Sequence, residues 1–132
     1  MKNLITILAL LFSSLLIGQD VVMQTATVSQ CGGIFYDSGG EFGPYGNDES
    51  FVLTICPENA EQKVQIDFTE FNTQLNLDVM TIYNGDVVDD TTAFGTFSGV
   101  DSPGLITATP DNTSGCITIQ FVSDDSGNTT GW

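Results

Sequence analysis

The sequence predicts an all-β sandwich, and three observations carry that reading. Past residue 18 no segment keeps a helical period of apolar residues, whereas several short runs alternate apolar and polar side chains with period two. Those runs are separated by glycine-, proline- and asparagine-rich turns at short, regular spacing. Fourteen glycines, spread through the chain, supply the tight bends such a fold needs. Seven or so strands of this kind cannot each bury an apolar face alone, so two layers must close on one another.

In chain order, residues 1 to 18 read as a signal peptide. Lys2 gives the charged start, Leu4 to Ile17 is apolar, and Gly18 is a small residue before Gln19. The apolar run is about 14 residues, short of the ~20 that span a bilayer, so no membrane insertion is expected once it is removed. Residues 19 to 30 form a polar, β-branched lead-in in which a first edge strand is expected. The stretch from Cys31 to Ser50, dense in glycine, reads as a structured loop. SFVLTIC then points Phe51, Leu53 and Ile55 inward, and Pro57 ends the strand because it cannot donate to a ladder. KVQIDFTEF places Val64, Ile66 and Phe68 on one face as a third strand from Lys63 to Phe71. Asp78 to Tyr83 is the fourth, closed by Asn84-Gly85, and AFGTFS, LITAT and CITIQFVS follow. The expected core is Leu53, Ile55, Val64, Ile66, Phe68, Ile82, Ile117, Ile119 and Phe121.

Charge narrows the function. Without residues 1 to 18, Lys63 is the single basic side chain against 17 acids. Nucleic acid is excluded as a partner, since phosphate contacts require Lys and Arg, and an anionic membrane would be repelled. With no histidine, imidazole metal sites and the usual nucleophile triads are also absent. Carboxylates are so abundant that a pair suited to glycoside cleavage carries no information, and no enzyme is predicted. Three cysteines in an exported chain imply one disulfide and one leftover thiol.

Asp78 stands out because an acid at the entry to a buried strand either ends a turn or binds something. Around it, Cys31-Gly32-Gly33, FTEFNTQLNLDVMTIYNG, Phe97-Ser98-Gly99, Ser102-Pro103 and FVSDDSGNTTGW occur in an order and spacing that resemble a CUB domain over residues 31 to 132. The Tyr36-to-Gly40 loop and the Thr-Ile-Cys-Pro strand end are similar to the variant found in exported Bacteroidota proteins. The resemblance implies an antiparallel jelly-roll-like sandwich that binds protein or carbohydrate outside the cell, for instance in adhesion at the cell surface. A passive spacer appended to a secreted enzyme is the alternative. The chain is expected to be the N-terminal piece of a longer protein, its last strand truncated. That truncation is expected to leave an unpaired edge near Cys116 to Ser123.

The resemblance also implies a calcium (Ca2+) site. Tyr45 matches the family's tyrosine, Asp78 its first aspartate and Asp124 the aspartate of a Ser-Asp-x-Ser motif that ends at Ser126. Gln74 stands where the family has a glutamate, with Asp125 nearby as a substitute carboxylate. Losing one carboxylate predicts weak, roughly millimolar affinity. The family's second disulfide is missing, its positions falling near Leu75 and at Ser98. Of the three possible pairings, Cys31 with Cys56 is favoured and leaves Cys116 free; Cys31 with Cys116 and Cys56 with Cys116 remain open.

Overall fold

The computed structural model describes residues 18–132, so the signal peptide read from residues 1 to 18 lies, apart from Gly18, outside the described residues. Nine strands and two short 3-10 turns, Gly40–Phe42 and Asp90–Thr92, make up the regular structure. In chain order the strands are β1 (Val21–Val22), β2 (Ala26–Ser29), β3 (Phe35–Tyr36), β4 (Ser50–Cys56) and β5 (Gln65–Asp67). They continue with β6 (Val79–Tyr83), β7 (Ala93–Phe97), β8 (Leu105–Thr107) and β9 (Ile117–Val122). The main sheet runs β2-β4-β9-β6-β7, and the pairs β1-β3 and β5-β8 complete the all-β sandwich. No helix among the described residues is long and apolar enough to cross a membrane.

Alternation builds the core. Leu53, Ile119 and Ile82 sit opposite one another across β4, β9 and β6, as do Phe51, Phe121 and Met80 one repeat further on. Packing like on like across neighbouring strands is how a sheet gains stability from its side chains. All nine expected core residues join this cluster, eight of them buried and Ile66 partly so. Met23, Tyr45, Met80 and Phe71 are buried too. Trp132 lies against Phe35, Phe71 and Phe121 with ring centroids 5.0 to 6.2 Å apart, so aromatic packing ties the end of the described chain to both layers.

Several expectations need correction, although the edge strand expected within residues 19 to 30 is present: that segment contributes β1 and β2, and β2 forms one edge of the main sheet. Both of these strands pair in parallel, β1 with β3 and β2 with β4. A parallel pairing needs a crossover of about a dozen residues or more, and the glycine-rich stretch from Gln30 to Glu49 provides one for β2. The Lys63-to-Phe71 strand is shorter than expected. Its ladder with β8 covers Gln65 to Asp67, and a turn bond from Thr69 N to Asp67 O follows. The unpaired edge expected near Cys116 to Ser123 is absent, since β9 is the central strand with β4 on one side and β6 on the other.

The favoured cysteine pairing is also overturned. Cys56 bonds Cys116, and Cys31 is the free, exposed thiol. The reason lies in the register: Ile55 pairs with Ile117, which sets Cys56 and Cys116 side by side at the end of two antiparallel neighbours. With 60 residues between its ends, this link contributes ~4 kcal/mol by loop-closure entropy, more than the favoured pairing would have. Thiol counting on the denatured, unreduced protein is expected to find one free thiol, and alkylation before digestion should label Cys31. Label on Cys116 would contradict the register.

Candidate functional site

Four loops meet at one end of the main sheet: Gly43 to Asp48, Asn72 to Asp78, Ser98 to Asp101 and Asp124 to Thr129. Asp78, completely buried just before β6, is the group they share. Tyr45 donates its phenol to Asp78 Oδ2 at 2.6 Å, and the backbone N–H of Asp124 donates to Oδ1 at 2.8 Å. Both carboxylate oxygens are thus satisfied by protein donors, which is what a buried charge requires. Tyr45 is itself held in place. Its hydroxyl accepts the Gln74 N–H at 3.0 Å, and burial, followed by the bond to Asp78, raises its pKa. Asn128 caps the Tyr45 carbonyl at 2.8 Å.

Around this pair the loops are laced together. Thr73 donates its hydroxyl to the Asp78 carbonyl at 2.8 Å and accepts from Gly99 N at 3.1 Å. Asp48 N donates to Asp124 O at 2.7 Å, while Ser123 bridges Glu49 N and Gly46 O. Asp124 Oδ1 accepts from Ser126 N at 3.0 Å, a local turn bond. The Gln74 carboxamide completes the ring. With its nitrogen facing Asp124, it donates to Asp124 Oδ1 at 3.1 Å and to the Ser126 carbonyl at 2.6 Å; the opposite orientation would set oxygen against those acceptors. Gly127 makes room for it. There, at φ +76°, an added Cβ would lie 2.6 to 2.8 Å from the Gln74 amide atoms.

The structure therefore brings together five of the six expected residues: Tyr45, Gln74, Asp78, Asp124 and Ser126. Asp125 is exposed and makes none of these bonds. Thr73, Thr129 and Asn128 belong to the cluster and were not anticipated. Thr129 and Asn128 sit in a Gly-Asn-Thr-Thr stretch that reads as a simple turn, and only the fold reveals what it faces.

Does this set suit a resident calcium ion? Ca2+ takes six to eight oxygen ligands, mostly anionic, converging on one point. Here two carboxylates converge, their inner oxygens already accept from Tyr45, Asp124 N, Ser126 N and the Gln74 amide, and no group of three or more His, Cys, Asp or Glu able to hold a metal exists among the described residues. As it stands the set fits the ion poorly.

A second buried acid lies nearby. Asp37, 1% exposed, accepts from Gly39 N at 2.7 Å, and burial pushes its pKa up to about 6 against the backbone N–H groups that lower it. Glu49 adds to the rise through its negative charge.

A sandwich whose loops gather at one end is the architecture of the CUB domain, a class known as an extracellular binding module. The chain belongs to the CUB domain family, whose sequence pattern matches residues 31–132. Solved structures share the fold. The full extracellular region of zebrafish Gpr126/Adgrg6 superposes with a TM-score of 0.63 at 20% identity, over 83% of this chain and 14% of that one. The CUB1-EGF-CUB2 domain of human MASP-1/3 gives 0.60 at 22% identity, over 86% of this chain and 41% of that one. The corresponding rat MASP-1 domains give 0.59 at 22%, over 83% and 38%. This chain thus corresponds to less than half of each of these longer chains. No curated protein matches it.

Two outcomes test this geometry. Tyr45→Phe removes the donor to Asp78 and is expected to lower unfolding free energy by about 1–3 kcal/mol, read by chemical denaturation; an unchanged midpoint would mean the phenol bond is not formed. For Asp37 the folded pKa is the higher one, so its contribution is greatest below the unfolded value and is lost as pH rises through about 6. The difference in stability between wild type and Asp37→Asn should therefore fall across roughly pH 4 to 6, and a flat difference would contradict the raised pKa.

Proposed function

We propose that this chain is an extracellular, non-catalytic binding module that docks a partner protein on the loop end around Asp78. The observation that carries this reading is the set of apolar side chains on those loops. Leu75 and Leu77 flank the buried site at 65% and 52% exposure, Val100 stands at 80%, and Phe42, in the 3-10 turn that leads into the Gly43 to Asp48 loop, at 93%. Leu75 packs beside Gly99, so the 73–78 and 98–101 loops present their apolar residues as neighbours. Apolar and aromatic side chains on rigid, hydrogen-bonded loops are the usual material of a docking surface, because little side-chain and loop entropy is lost on binding.

Charge specifies the partner further. One base against 17 acids after signal removal favours a protein with a basic face, drawn in by long-range attraction and held by its apolar contacts. A carbohydrate partner is disfavoured by the aliphatic character of Leu75, Leu77 and Val100. Export is supported by the leader-like residues 1 to 18 and by the Cys56–Cys116 disulfide. Calcium plays at most a weak part, since an ion entering the rim has to displace the Gln74 amide bonds; partner binding is expected to survive chelation. Asn112 and Asn128 fit glycosylation sequons, yet their amides bond Cys116 O and Tyr45 O, which supports a turn role for both.

A photo-crosslinking amino acid at Phe42 or Leu77, compared with one at Val87 in the loop at the far end of β6, separates docking from spacing. Capture of a protein from the Phe42 or Leu77 position alone, lost on replacing Leu75 and Leu77 by serine and weakened by salt, is the expected result. Equal crosslinking from Val87, or none anywhere, would favour the spacer. Purified partner should then bind the serine variant about 5- to 30-fold more weakly, the range for losing one or two kcal/mol at a contact centre.

A further inference from the structure

The acidic loop end poses an electrostatic question that the docking reading does not answer. Asp78 and Asp124 are brought together at one rim, and among the described residues no Lys or Arg side chain accompanies them; Lys63 is bonded to the Asn112 carbonyl elsewhere. Two carboxylates and an inward carbonyl in one place ordinarily call for a cation. What meets Asp124 and the Ser126 carbonyl here is the Gln74 carboxamide nitrogen. It reaches Asp124 Oδ1 at 3.1 Å and the Ser126 carbonyl at 2.6 Å, while its own backbone N–H holds the Tyr45 phenol that in turn holds Asp78.

We propose that Gln74 replaces a metal ion at this rim, its amide N–H groups bridging the 72–78 and 124–128 loops so that the site is ordered without calcium. An amide is well suited to the task. It carries two N–H donors on one nitrogen, each pointed at a separate acceptor, with no charge to be desolvated. A carboxylate at the same place would face Asp124 and the Ser126 carbonyl oxygen to oxygen, and would need a cation between them. Gly127 fits the same account, because it leaves the amide lying flat against the turn with no Cβ in the way. The rest of the ligand-like arrangement is intact: Asp78 Oδ1 on the Asp124 N–H, Asp124 Oδ1 on the Ser126 N–H, and the buried phenol. A single side-chain atom therefore separates an ion-independent rim from an ion-dependent one. The inference concerns how the rim is held, and stands whether or not a partner docks there.

The test is a gain of function. Wild type and Gln74→Glu are melted in EDTA, in about 5 mM magnesium and in about 5 mM calcium, a concentration chosen for extracellular sites. Wild type should melt within about a degree in all three. Gln74→Glu should melt several degrees lower in EDTA, through carboxylate repulsion, and recover with calcium more than with magnesium, because only a ligand that binds the folded state raises the melting temperature. Titration calorimetry with calcium chloride should show heat for the variant and none for wild type. Gln74→Leu, which neither donates nor ligates, should lose stability equally in all three conditions. A calcium-selective shift in wild type overturns the proposal. So does a Gln74→Glu protein that calcium does not rescue, or a Gln74→Leu protein as stable as wild type.

Discussion

The carboxylate of Asp78, fully buried at the entrance to a central strand, is the constraint on which the loop end depends. A charge removed from water must be met by donors, and the nearest ones come from distant parts of the chain: a phenol 33 residues before it and a backbone N–H 46 residues after it. Meeting that need fixes where the Tyr45 loop and the Asp124 loop can go. Thr73 and Gln74, on the turn that leads into Asp78, then pin Gly99 and Ser126 to the same frame. One buried acid thereby orders four loops. The exposed leucines at 75 and 77 inherit that rigidity, since they lie between residues that cannot move independently.

Below the loops the molecule is held by means that owe nothing to charge. With two bases among 17 acids in the whole chain, the surface repels itself, and among the described residues ion pairing contributes no counterweight. Stability rests on the apolar ladder of β4, β9 and β6, on the aromatic group around Trp132, and on the Cys56–Cys116 link that staples β4 to β9. On the outer face of the same sheet Thr54 and Thr118 meet hydroxyl to hydroxyl at 2.9 Å, and Tyr83 reaches Gln120 at 3.1 Å, so polar pairs continue the pattern where apolar ones stop. Apart from the buried Asp37 and Asp78, the acids take no part in that core.

Sequence by itself determined the all-β class, the strands carried by strict alternation, and the membership of the core, because period-two burial is a local property that each strand writes into its own residues. It also singled out Asp78, Tyr45, Gln74 and Asp124, through their spacing within a family pattern. Tertiary structure alone decided the disulfide, since the pairing of Cys56 with Cys116 follows from the register of two strands far apart in sequence. It decided the parallel placement of β1 and β2, which no local pattern distinguishes from antiparallel. It made β9 the central strand and not an edge. Last, it decided what Gln74 faces: the sequence reports a neutral amide in place of an acid, whereas the hydrogen-bonding partner of that amide depends on which loop lies 3 Å away, and loop proximity is set by the whole fold.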